Sequence, residues 1–221
     1  MRGYLFIVAV GLLFSTSCRK NDLGIDNGCI SRITRHYVSA VDSTAAAKLL
    51  IQNKISVKNL VFFRVTLNDT ITNTLGETHV NQEIFALQYF NGLPVFSSDI
   101  AFFFVDGVYQ NTSGTRYSTT FNLNSSSTLT LPQLRKLFVT AAANSNELPY
   151  QAEPPINLRD SCVVAEFGYY DLNTGAVVDN PVFVKAWSVT PKHSNYPQGV
   201  FRDDNGATIF YTQGIIEFAN L

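Results

Sequence analysis

Two long apolar runs, 80–90 and 93–105, are separated only by Asn91-Gly92, and no other feature limits the folding of this chain as strongly. A type I′ turn needs positive φ at both central residues, which Asn and Gly supply at least steric cost, so the two runs read as strands folded back on each other. Asp106-Gly107 marks a second tight turn before a third run that ends near Tyr117. Upstream, Val61, Phe63, Val65 and Leu67 alternate with Phe62, Arg64, Thr66 and Asn68, the period of a half-buried strand. Before that, Ser43 or Asp42 can cap a helix that carries Ala46, Leu49 and Leu50 on one face and ends near Asn53. Residues 42 to about 118 therefore read as one helix followed by an antiparallel meander.

The same order recurs downstream. After a Ser/Thr/Asn-rich link, 122–128, Thr130-Leu131-Pro132-Gln133 has the form of a capping box with Pro in the first turn, where its missing N–H costs little. Leu131, Leu134, Phe138 and Ala141 then continue one apolar helical face. Beyond a Pro-containing loop, 148–157, Val163, Ala165, Phe167 and Tyr169 alternate as a strand, Asn173-Thr174-Gly175 turns, and 182–189 returns. A last hairpin pairs Val200-Phe201-Arg202 with Thr208-Ile209-Phe210-Tyr211 around Asn205-Gly206. The expected fold is α+β, two units that each lay a helix on one face of an antiparallel sheet. With 17 Phe and 10 Tyr in 221 residues the chain can fill two such cores. Its 16 Lys+Arg against 17 Asp+Glu leave no basic field for nucleic acid.

The amino terminus reads as an address. Arg2 precedes an apolar run, 4–14, and Ser15, Thr16, Ser17 and Cys18 follow before polar Arg19-Lys20-Asn21-Asp22. That is the pattern of a secretory signal, and it is too short for a permanent membrane helix of about 20 residues. Leu13-Phe14-Ser15-Thr16-Ser17-Cys18 resembles a bacterial lipobox in its form with a serine before the cysteine. The resemblance implies that residues 1–17 are a signal peptide, that Cys18 takes diacylglycerol and further acyl chains such as palmitate, and that the mature chain is a cell-envelope lipoprotein. Two or more acyl chains hold a soluble domain stably on a bilayer. Residues 18–41 then form a tether and lead-in. Cys29 and Cys162 are the remaining thiols, and in an oxidising compartment they invite a disulfide, with a pair of buried free thiols as the other outcome.

Thr78-His79-Val80, then Gln88-Tyr89-Phe90-Asn91-Gly92-Leu93-Pro94-Val95-Phe96, with Asp106-Gly107 following, is similar to the fungalysin/thermolysin propeptide (FTP) motif. Ala186-Trp187-Ser188-Val189-Thr190 with Gly199-Val200-Phe201-Arg202-Asp203-Asp204-Asn205-Gly206-Ala207 resembles the PepSY module. The resemblances imply cystatin-like architecture in both halves, an FTP-like module over 42–120 and a PepSY-like module over 121–221. In exported metallopeptidase precursors such tandem modules form the prosegment, which assists folding of the peptidase and inhibits it until cleaved. A thermolysin-like domain would add His-Glu-x-x-His, two zinc-ligating imidazoles one turn apart with a glutamate base. His36, His79 and His193 show no such spacing, so a prosegment without a peptidase in cis is expected.

Other chemistry finds little footing. No Gly-x-Ser-x-Gly elbow occurs. Set against a calcium loop, Asp203, Asn205 and Gly206 fill three places, but Phe201 and Thr212 stand where the first Asp and the Glu belong, so the segment reads as a turn. Glu166 with Asp203 or Asp204 would serve a glycosidase only at the separation such a pair requires. Trp187 reads as a core residue, and Phe102-Phe103-Phe104 as a strand covered on both faces by the neighbouring module or a partner. The expected function is therefore non-catalytic, with no metal and no cofactor. The chain would be a propeptide-like module that inhibits or assists folding of an extracytoplasmic peptidase or another exported protein. Gly92, Leu93, Pro94, Val95 and Phe96 are the expected contact segment, where an exposed sheet edge could add a strand. The alternative is a surface lipoprotein that binds glycan or another nutrient ligand within an uptake assembly.

Overall fold

The computed structural model describes residues 26–34, 38–118, 123–145, 157–174 and 180–214. Cys18, the signal segment and His36 lie outside them. Helix α1 (Ala40–Gln52) starts earlier than its sequence suggests, because the Ser39 hydroxyl accepts the Asp42 N–H at 3.1 Å. Ser39 rather than Asp42 or Ser43 is thus the cap, and Asp42 sits in the first turn, where the helix dipole favours an anion.

Strands β2 (Leu60–Thr72), β3 (Thr78–Phe90), β5 (Ile100–Val105) and β6 (Val108–Gly114) form an antiparallel sheet in that order. Ala46 and Leu50 of α1 pack on Phe62, Ile84, Ala86, Ile100, Phe102 and Phe104. A bulge between Phe62 and Arg64 changes the phase of β2. Leu60 and Phe62 therefore share the helix-facing side with Val65 and Leu67, where simple alternation had put Phe63 with the last two. Asn91 and Gly92 make the expected turn, with φ of 51° and 75°. The run 93–105 is not one strand, however. It divides into β4 (Leu93–Pro94), paired to Tyr89 and Phe90, and β5, paired further back along β3. Between them Ser98 takes over the ladder: its hydroxyl accepts the Gln88 N–H at 2.7 Å and donates to the Val95 carbonyl at 2.7 Å.

The second sheet has the order β1 (Ile30–Arg32), β7 (Val163–Asp171), β8 (Phe183–Pro191), β9 (Gln198–Arg202), β10 (Thr208–Thr212). Only β1 runs parallel to its neighbour. Helix α2 (Leu131–Asn144) lays Leu134 and Phe138 on Val163, Ala165, Phe167, Trp187, Val189 and Phe201. At its start Gln133 Oε1 accepts from the Thr130 N–H at 2.9 Å. Residues 30–32, which sequence assigns to the tether, instead extend this sheet, because Cys29 is joined to Cys162 (S–S 2.01 Å) and brings β1 against β7. The described chain is α+β and mostly sheet.

The two units meet through Phe90, Val95, Tyr117 and Tyr169, which form a third apolar cluster. Val95 makes a parallel bridge to Tyr169, and the Phe96 N–H donates to the Tyr169 carbonyl at 2.9 Å. Gly168 permits this approach: a Cβ there would lie 2.4 Å from the Pro94 carbonyl oxygen and 2.9 Å from the Phe96 ring. Gly168→Ala should lower unfolding stability by roughly 1–3 kcal/mol, the usual cost of overpacking, read as a drop in the denaturant midpoint. The disulfide closes a span of 133 residues, for which chain entropy predicts about 5 kcal/mol of stabilisation. The Cys29→Ser, Cys162→Ser variant should therefore unfold at clearly lower denaturant, and an unchanged midpoint would refute that role.

Candidate functional site

Of the expected contact segment 92–96, residues 93–96 are spent inside the molecule, while Gly92 stays exposed at the turn. Pro94 and Val95 are buried, and Gly92 is a turn residue. The Val95 N–H donates to the Gln88 carbonyl at 2.8 Å, and the Phe96 N–H is taken by Tyr169. Leu93 packs into the cores that border the junction. A strand could be added along 93–96 only by displacing β7, so those four residues bind the chain's own second unit.

Behind them lies a buried polar joint. The Gln88 side chain acts as a strand neighbour for Tyr117, accepting its N–H at 2.6 Å and donating to its carbonyl at 3.0 Å. The Tyr117 hydroxyl donates to Asp171 Oδ2 at 3.1 Å, and the Ser97 hydroxyl accepts the Asp171 N–H at 3.0 Å. Asp171 Oδ1 accepts from the Asn173 and Val182 N–H groups, holding the turn that follows β7. Burial pushes the Tyr117 phenol above its ordinary value, so it stays a protonated donor.

Two further charged groups close the second unit. Arg135, 5% exposed, sits among the apolar residues of α2. Its Nε donates to both Asp26 oxygens at 2.9 and 2.8 Å, and its terminal nitrogens reach the carbonyls of Cys29, Leu158, Arg159 and Ser161. The hydrogen bond from this guanidinium holds the Asp26 carboxyl below its ordinary value. Asp203 is fully buried and accepts the Thr128 and Leu129 N–H groups and the Trp187 indole N–H at 2.8–3.0 Å. Burial alone would raise its titration, but these donors outweigh it and hold the carboxyl below the usual range.

The remaining sequence candidates are dispersed. His79 lies on β3 with Nδ1 2.8 Å from Asp106 Oδ2, exposed beside the two hairpin tips, while His193 follows β8 in the other unit. Glu166 is buried, opposite Ser188, on the sheet face away from Phe167 and Trp187, whereas Asp203 is bonded to Trp187. The two carboxyls are not a catalytic pair. At the calcium-like segment Asp203 is turned inward onto N–H donors, Asp204 binds Arg202, and the Asn205 side chain accepts the Ala207 N–H, so the segment works as a turn. Among the described residues no cluster of three His, Cys, Asp or Glu could hold a metal.

Phe102 and Phe104 lie under α1, while Phe103 joins Phe63 and Phe85 on the opposite, half-buried face, with ring centroids 6.0 and 6.3 Å apart along the row. The units meet at β4, so the second unit is not what covers Phe103. Arg64 stands 3.6 Å over the Phe85 centroid, occupying the ring face that a sugar would need. Sequence reading missed Arg135, Tyr117, Ser97, Ser98 and Asp171. One signal was available: Arg135 falls four residues after Leu131 and three before Phe138, inside an apolar helical face.

Asp26 and Asp203 both titrate below 3.8 in the folded state. The unfolded chain therefore takes up their protons first, so the stability they contribute is complete above 3.8 and is lost as pH falls through the lower folded values. Asp203→Asn puts an amide donor against backbone donors and should cost about 2–3 kcal/mol at neutral pH. It should also flatten the acid limb of the stability curve, both read by urea unfolding between pH 2 and 7.

Neither a protein-family model nor a curated protein matches this chain.

Proposed function

We propose that the chain is an exported, lipid-anchored module without catalysis of its own, which binds an extracytoplasmic peptidase or another exported protein in the manner of a propeptide. On this reading its two helix-on-sheet units are cystatin-like, as the FTP and PepSY resemblances imply. Arg135, Tyr117, Asp171 and Asp203 support it, since each of these buried groups joins one chain segment to another.

The observation that carries the proposal is the free edge at β6. All seven of its residues are exposed, and among the described residues it has no second strand neighbour. Asn53 occupies the Tyr109 N–H at 3.0 Å, which leaves the stretch Asn111, Thr112, Ser113 and Gly114, free of charge and of proline, to receive an extended segment. The opposite edge, β2, is less suited, because it carries two bulges with Arg64 and Asp69 beside them.

Purified mature protein should inhibit, or raise the refolding yield of, metallopeptidases exported by the same organism; no effect on either would sink the proposal. Asn111→Lys with Ser113→Lys places charge on the exposed edge and should weaken that effect at least tenfold, with thermal unfolding unchanged. For the anchor, full-length protein should partition into detergent and Cys18→Ala should not.

A further inference from the structure

We infer that the protein stands on its second unit, with the Val163 end of β7 toward the lipid and the β2–β3 hairpin farthest from it. This rests on the reading of Cys18 as the lipid-bearing residue.

The attachment is built at one end of β7. The described chain enters at Asp26, which Arg135 grips, and two residues after Gly28 the strand β1 begins beside Val163. Cys29 is bonded to Cys162 immediately before β7, and the Lys192 N–H donates to the Cys162 carbonyl at 3.0 Å, placing Lys192 at the same end. Gly28 leaves room for the guanidinium, since a Cβ there would overlap it. From Cys18 to Asp26 is eight residues, so even a fully extended tether spans no more than about 29 Å. The end carrying Asp26, Arg159 and Lys192 is therefore confined near the bilayer surface.

The first unit is attached at the other end. Its bridge to β7 is at Tyr169 and its polar joint at Asp171. Six residue steps separate Tyr169 from Val163, about 20 Å of strand. The direction continues outward beyond this point. Val95 runs parallel to β7, β4 is antiparallel to β3, and β3 therefore points back toward the junction with Thr78 at its far end. Tyr89 to Thr78 is eleven further steps, about 37 Å along a twisted strand. At that far end lie Leu75, 82% exposed, and the Asp106-Gly107 turn, whose Asp106 N–H donates to the Val80 carbonyl. The free edge of β6 lies between the junction and this tip, with Val108 beside Val105 at the outer end.

The test uses the full-length protein, expressed with its signal and reconstituted into phosphatidylcholine vesicles that contain a headgroup-labelled acceptor lipid. A donor dye is placed through Lys192→Cys or Leu75→Cys, both exposed positions, with the disulfide kept oxidised. Energy transfer to the acceptor should be several-fold greater from position 192 than from position 75. Equal or reversed transfer from vesicle-bound protein would overturn the orientation and leave the anchor intact. Protein that fails to float with the vesicles would overturn the anchor and this inference with it.

Discussion

Strand β7 is held at both ends, and the remaining elements are positioned relative to it. At Val163 it receives β1 and the disulfide; at Tyr169 and Asp171 it receives the first unit; between these points it pairs with β8 and lies under α2. Nearly all of it is buried, although the strand carries Glu166, Gly168 and Asp171 along with its aromatics. Gly168 and Asp171 lie where apolar bulk would not serve. Gly168 admits the Pro94 carbonyl, Asp171 collects a phenol and backbone donors, and Glu166 occupies the face away from the α2 core.

A polar group removed from water costs free energy unless it is bonded, so a buried charge is retained only where it satisfies several partners at once. Arg135 satisfies five carbonyl- or carboxylate-bearing residues, and Asp203 satisfies the lead-in to α2 together with the single tryptophan. These groups connect segments that local structure would leave independent. Among the described residues, Arg135, Tyr117, Asp171 and Asp203 are thus committed to the chain's own architecture, while β6 leaves exposed backbone at a sheet edge.

The proposed orientation gives this division a physical purpose. On that proposal the tether would hold one end of the second unit near the lipid, and whatever the first unit binds would meet it clear of the surface. The aromatic row of Phe63, Phe85 and Phe103 fits the same picture as packing on an open sheet face, shielded by Arg64.

Local signals carried much of the secondary structure. Asn91-Gly92 and Asp106-Gly107 made turns because the residues that tolerate positive φ are few, and the period of Leu131, Leu134 and Phe138 made a helix because burial must repeat with the backbone. Longer-range facts were not legible in that way. Ile30–Arg32 looks like linker until a disulfide spanning 133 residues lays it beside β7. Residues 92–96 look like a free edge until Gly168 allows another sheet to reach them. The phase of β2 depends on a bulge whose partner lies on β3. Periodicity and turn chemistry act over a few residues, so the sequence alone determined two helices, the capping box of α2 and the tight turns. Which edges stay open, and which buried charges meet, depended on contacts between distant segments, and these only the tertiary structure decided.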